Sequence, residues 1–155
     1  MKKQLIQALA AAILVFGPLS SAHAADSNQE NIHVVLKTYE QMLNASDVAG
    51  VLKLYTQDGV FMAQHNPSAV GINAIEAAYE AVFKAIDLNV KFDIVEIEMV
   101  ADDWAFARTN STGTTTINAT GDKIAEGNQE LFVFQKTDGD EWKIARYSFS
   151  TTNPR

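Results

Sequence analysis

The sequence predicts an α+β fold, with three N-terminal helices packed on a strongly curved antiparallel sheet. Two observations carry this. Apolar residues recur at helical spacing up to about Ile86, and beyond residue 90 the chain becomes four long runs of β-branched and aromatic residues separated by turn chemistry. A third gives the curvature. Val90, Phe92 and Ile94 share one strand parity while Val95, Ile97 and Met99 share the other, so a β-bulge is expected near Ile94.

The elements follow in order. Lys2 and Lys3, the apolar run over residues 5–16 and the small–x–small sequence Ala22-His23-Ala24 read as a signal peptide over residues 1–24, cleaved after Ala24. The apolar run is too short for a membrane span, which needs roughly 20 residues. The reading is an exported protein, periplasmic or secreted, with one domain over residues 25–155. Ser27 with Glu30 resembles a capping box, and Ile32, Val35, Leu36, Tyr39, Met42 and Leu43 line one face of a helix ending near Asn44. Ser46 or Asp47 caps a short second helix carrying Val48, Val51, Leu52 and Tyr55, which Gln57-Asp58-Gly59 should end. Val60-Phe61-Met62 reads as a short strand and His65-Asn66-Pro67-Ser68 as a loop. Asn73 and Glu76 open a third helix that buries Ile75, Tyr79, Val82, Phe83 and Ile86. The strands are expected over residues 90–100, 104–116, 123–136 and 142–151.

Composition removes several function classes. The formal charge is −7, whereas a nucleic-acid partner requires a basic face. There is no cysteine, so neither a disulfide nor a cysteine–zinc cluster can form. His33 and His65 lack zinc spacing, and no haem, flavin or nucleotide signature is present; no cofactor and no metal are predicted.

The order and spacing of several motifs carry a family resemblance. Tyr39-x-x-x-Leu43-Asn44-Ala45-x-Asp47, then Leu54-Tyr55-x-x-Asp58-Gly59-Val60, resembles the start of the nuclear-transport-factor-2-like superfamily. Trp104-Ala105-Phe106-Ala107-Arg108-Thr109, the segment Gly127-Asn128-Gln129-Glu130-Leu131-Phe132-Val133-Phe134, and Gly139-x-x-Trp142-Lys143-Ile144 resemble its second half, in the SnoaL-like, SgcJ/EcaC-type branch. The resemblance implies a cystatin-like cone, a curled sheet wrapped round a long helix with a pocket at its open end. A fold this widely reused does not fix a function.

The same superfamily contains ketosteroid isomerase, whose chemistry needs a carboxylate base and two neutral donors to the enolate oxygen. By that resemblance Tyr39 matches the oxyanion tyrosine and Glu130 the oxyanion acid. Counting from Tyr55 places the base at Ala63, which cannot accept a proton. His65, two residues on, is the nearest titratable candidate, although the loop around Asn66-Pro67 favours its exposure. Strand parity adds Arg108, Asn128 and Arg146. If the faces carrying Phe106–Arg108, Asn128–Glu130 and Ile144–Arg146 all point inward, Glu130 pairs with an arginine and stays ionised. The cluster is then either a structural ion network or an anion clamp.

The leading reading is an exported protein binding a small organic ligand, anionic or carbonyl-bearing, through Tyr39, Arg108, Asn128, Glu130 and Arg146. One alternative is a cofactor-free isomerase, cyclase or lyase with Tyr39, His65 and Glu130 as catalytic candidates; another is a dimeric interaction module with a filled cone. Leu131 and Val133 oppose Phe132 and Phe134, making both sheet faces apolar, so a homodimer through the outer face is expected.

Overall fold

The computed structural model describes residues 19–153. Helix α1 (Leu19–Asn44) and the short α2 (Val48–Leu52) precede strand β1 (Tyr55–Met62) and the two-residue β2 (Ala69–Val70). Helix α3 (Ile72–Ala85) leads into β3 (Ile86–Met99), β4 (Trp104–Ile117), β5 (Lys123–Lys136) and β6 (Trp142–Thr151). The six strands form one sheet in the order β2-β1-β6-β5-β4-β3; β1 runs parallel to β6 and the other pairs are antiparallel. This is the expected α+β plan, a curved open sheet with helices on its concave side. Residues 1–18 of the expected leader lie outside the described residues.

Several expected boundaries move. Ser27 and Glu30 lie inside α1, which begins earlier, so they do not cap it. Asp47 does cap α2, its side chain accepting from the Gly50 amide. Gln57-Asp58-Gly59 does not end that helix. It lies within β1, at a register shift between Tyr55 and Val60 that absorbs the extra residues. Gly71, rather than Asn73, is the N-cap of α3; its φ of 80° suits a residue without a side chain. The expected bulge is present, between Ile94 and Glu96.

Helix α1 buries Ile32, Leu36, Tyr39 and Leu43, one face at helical spacing. Its polar residues grip β3. Asn44 donates to the Val90 carbonyl and accepts from the Val90 amide, both at 2.8 Å, and Glu40 accepts from the Phe92 amide. Opposite Val90 stands Gly113, where a Cβ would meet the Asn89 carbonyl oxygen at 2.0 Å; only glycine lets β3 and β4 approach so closely. These contacts curl the sheet round α1 and leave a cavity between its concave face and the helices.

Candidate functional site

The cavity holds about 220 Å³. Tyr39 and Leu43 reach it from α1, Tyr79 and Val82 from α3, Phe61 from β1, and Val90 and Phe92 from β3. The polar wall is Ser111 from β4 with Glu126, Asn128 and Glu130 from β5, joined by Gln64 and Asn66 from the loop after β1; Tyr147 and Phe149 close it from β6. The rings pack on one another: Phe132 stacks on Tyr147 at 4.1 Å, and Tyr39 meets Phe132 and Tyr147 edge-on at 5.6 and 5.4 Å.

Glu130 is buried at the inner wall. Its carboxyl accepts from the Thr109 hydroxyl, from Ser111 Oγ at 2.9 Å and from the Tyr147 hydroxyl at 3.3 Å. Burial raises its pKa from the ordinary value, and the three hydroxyl donors only partly offset this. Glu126, nearer the mouth, accepts from Thr115 Oγ1 at 2.8 Å and from Asn128 Nδ2 at 2.7 Å. Asn128 Nδ2 also reaches Ser111 Oγ at 3.3 Å, so the two carboxyls are linked through Asn128 and Ser111.

Facing them is a chain of three tyrosine hydroxyls. Tyr79 lies 2.6 Å from Tyr39 and 3.0 Å from Tyr55. Burial pushes all three phenols, and Tyr147, well above the ordinary tyrosine range, so they remain neutral donors. Three hydroxyls sharing two hydrogen bonds leave one proton that their own chain does not use. In the order Tyr55 to Tyr79 to Tyr39 that proton is on Tyr39 at the cavity; in the reverse order it is on Tyr55.

The expected arginine cluster is not there. Arg108 lies on the outer face and pairs with Glu96. The buried residues of β4 are Ala105, Ala107, Thr109, Ser111 and Thr115, opposite in parity to Arg108. Arg146 also points away from the cavity. It donates to the Asp58 and Ala145 carbonyls and stands 3.9 Å from the Asp58 carboxylate. The reason is a second bulge: Phe134 pairs with Ile144 and Val133 with Arg146, so Ala145 is the extra residue and parity flips. Tyr147, not Arg146, therefore faces Glu130. Among the described residues no lysine or arginine lines the cavity, which removes the basis for an anion clamp. His65 is exposed in its loop at φ 64°, with Nε2 2.9 Å from Gln64 Nε2. Ala63, where the resemblance placed a base, does line the cavity, with only a methyl to offer. No cluster of three or more potential metal ligands occurs among the described residues.

Sequence reasoning therefore brought Tyr39, Asn128 and Glu130 together and missed Thr109, Ser111, Glu126, Tyr79 and Tyr147. The signal for β4 was Ala105-x-Ala107, since two small apolar residues suit an inner face better than the arginine beside them.

The description "SnoaL-like domain" matches residues 35–147. A ketosteroid isomerase-like protein from Erwinia carotovora atroseptica SCRI1043 is 34% identical with a TM-score of 0.78, over 81% of this chain and 96% of that one. A nuclear-transport-factor-2-like protein of unknown function from Shewanella oneidensis MR-1 is 21% identical (TM-score 0.63; 79% and 98% covered). The hexachlorocyclohexane dehydrochlorinase LinA-type3 from Novosphingobium barchaimii LL02 shares the fold at 10% identity (TM-score 0.78; 86% and 92% covered). No curated protein matches the chain.

Proposed function

For a chain that belongs to the SnoaL-like domain family, within the nuclear-transport-factor-2-like superfamily, we propose a small-molecule-binding role. The cavity takes an uncharged organic molecule bearing a carbonyl oxygen, which Tyr39 and Tyr79 polarise. The observation that carries this reading is the chain of neutral phenols, Tyr39 and Tyr79 among them, in the wall of an aromatic cavity. A neutral donor in a low-dielectric wall binds a carbonyl more strongly than water does. Aromatic rings supply the apolar contact, and two carboxyl groups without a neighbouring cation disfavour an anion.

A second reading, a cofactor-free isomerase or lyase, is supported by Glu126 and Glu130 facing one cavity. Because Ala63 offers no base, one of these two carboxyls would have to move the proton. The filled-cone module fits less well with an open cavity of about 220 Å³.

Calorimetric titration with acetophenone and ethylbenzene, which differ mainly in the carbonyl, tests the leading reading. Acetophenone should bind about 10-fold more tightly, the worth of one good hydrogen bond, and Tyr39→Phe should erase the difference. Equal affinity of the wild type for both would refute it.

A further inference from the structure

The space for a ligand does not end at the cavity mouth. A groove of about 390 Å³ runs between helix α3 and the segment that leads from the end of β1 to β2. It shares Ala63, Asn66, Val82 and Ile86 with the cavity, and all four keep exposed surface, whereas the cavity floor at Tyr39 and Tyr79 is buried. The groove therefore begins at the rim of the cavity. Phe61 borders both, its ring stacked on Tyr79 at 4.8 Å.

The walls of the groove are apolar. Ala78, Ala81 and Ala85 line it from α3, Pro67 and Ala69 from the opposite side, and among the described residues no charged one contributes. The polar side chain in the wall, Asn66, donates to the Gln64 carbonyl at 3.0 Å within its own loop. A concave apolar surface left open to water favours an apolar occupant. Size points the same way. Small-molecule sites commonly span about 300–1,000 Å³, so the cavity, at about 220 Å³, is small by itself. With the groove, the joint space reaches that range.

We infer that the groove is a second subsite, which takes an apolar tail of the ligand whose carbonyl head lies in the cavity. The inference rests on the binding role proposed above and narrows its ligand class. An apolar cavity of roughly 150 Å³ accommodates benzene, so about 220 Å³ holds a single ring with its carbonyl directed to Tyr39 and Tyr79 at the buried end. The substituent opposite the carbonyl then leaves past Ala63 and Val82 and lies along α3. The ligand class is a long, uncharged ketone, with a ring-sized carbonyl head and an aliphatic chain at the far end.

Titration calorimetry with acetophenone and its para-methyl, para-butyl and para-hexyl derivatives tests this. Each carbon laid in the groove removes apolar surface from water, so affinity should climb with chain length. The hexyl ketone should bind at least about 10-fold more tightly than acetophenone. Ala81 is exposed on α3 and lines the groove but not the cavity. Ala81→Glu sets a carboxylate against the chain, which must be desolvated as the chain docks, and the hexyl-to-acetophenone affinity ratio should fall to about one. Ala85→Glu, at a second exposed position of the groove, repeats the test should the first variant not fold. A wild-type ratio of one or less overturns the tail subsite and leaves the binding role intact. A ratio that stays at the wild-type value in the folded variants overturns the subsite as well. A wild-type dimer that Ala81→Glu turns into a monomer in sedimentation, with a wild-type ratio near one, would assign the groove to a second copy of the chain instead. Failure of all four ketones to bind overturns both the subsite and the binding role.

Discussion

Leu131 and Phe132 are neighbours on β5 that face opposite sides of the sheet, and the two sides treat side chains very differently. Phe132 is fully buried among Tyr39, Phe92, Phe134 and Tyr147. Leu131 is 46% exposed, flanked across the sheet by Arg108 and Ser148. Charge divides in the same way. On the outer face the ion pair Arg108–Glu96 is open to water, while on the inner face Glu130 is surrounded by hydroxyls instead of a cation. An arginine beside Glu130 would have to be desolvated with it, and that penalty often exceeds the attraction recovered. Three hydroxyls satisfy the carboxyl without a second buried charge.

The largest expected effect comes from breaking the pair across the sheet. Phe132→Ala removes a fully buried ring and should lower stability by about 3–5 kcal/mol. Leu131→Ala should cost the folded monomer under about 1 kcal/mol, as surface substitutions do. If the outer face forms the proposed homodimer, Leu131→Ala should weaken it, because such an interface would cover this exposed apolar residue. Urea unfolding of both variants reads the first contrast, and sedimentation at micromolar concentration reads the second. Comparable unfolding losses for the two would mean that the outer face is packed as tightly as the inner one; a wild type that sediments only as monomer would remove the dimer.

A smaller effect sharpens the electrostatic contrast. Burial raises the Glu130 pKa above its ordinary value of 4.5, so the folded protein holds that proton more tightly than the unfolded chain. The associated stabilisation is complete below the unfolded pKa and is lost as pH rises through the folded one. Glutamine is neutral throughout. Glu130→Gln should therefore be least favourable relative to wild type in acid and gain on it steadily as pH rises through the Glu130 titration. Parallel melting curves of the two proteins across that range check this. A Gln variant that loses ground with rising pH would show Glu130 to be held as a stabilised anion.

How much of this was legible differs between elements. All four long strands were readable, because β-branched runs and their Asp, Asn and Gly breaks are local signals, and so was the bulge at Ile94, where the apolar parity visibly switches. The inner wall was not. The bulge at Ala145 leaves no such trace, since Ile144 and Ala145 are both apolar and both buried; the parity count through it aimed Arg146 inward in place of Tyr147. On β4, Phe106 and Arg108 outweighed Ala105, Ala107, Thr109 and Ser111, whose burial depends on neighbours that a single strand does not reveal. The tyrosine chain joins α1, β1 and α3 through positions 39, 55 and 79, and no local pattern links them.

The smallest effect tests the outer half of the contrast. Arg108 and Glu96 are 55% and 35% exposed at their side chains, so water screens their attraction and little is lost when it goes. Exposed pairs are worth roughly 0–1 kcal/mol, and Arg108→Ala should fall in that range or below it. Its affinity for acetophenone should equal that of the wild type, because the guanidinium does not line the cavity. The pH profile of the Glu130→Gln comparison should likewise be unchanged when repeated in the Arg108→Ala background. Additivity is the sensitive reading here, since groups without a shared partner combine within a few tenths of a kcal/mol. A coupling well above that between Arg108 and Glu130, or a loss of ketone binding, would place the guanidinium at the carboxyl in solution and reverse the assignment of faces on β4.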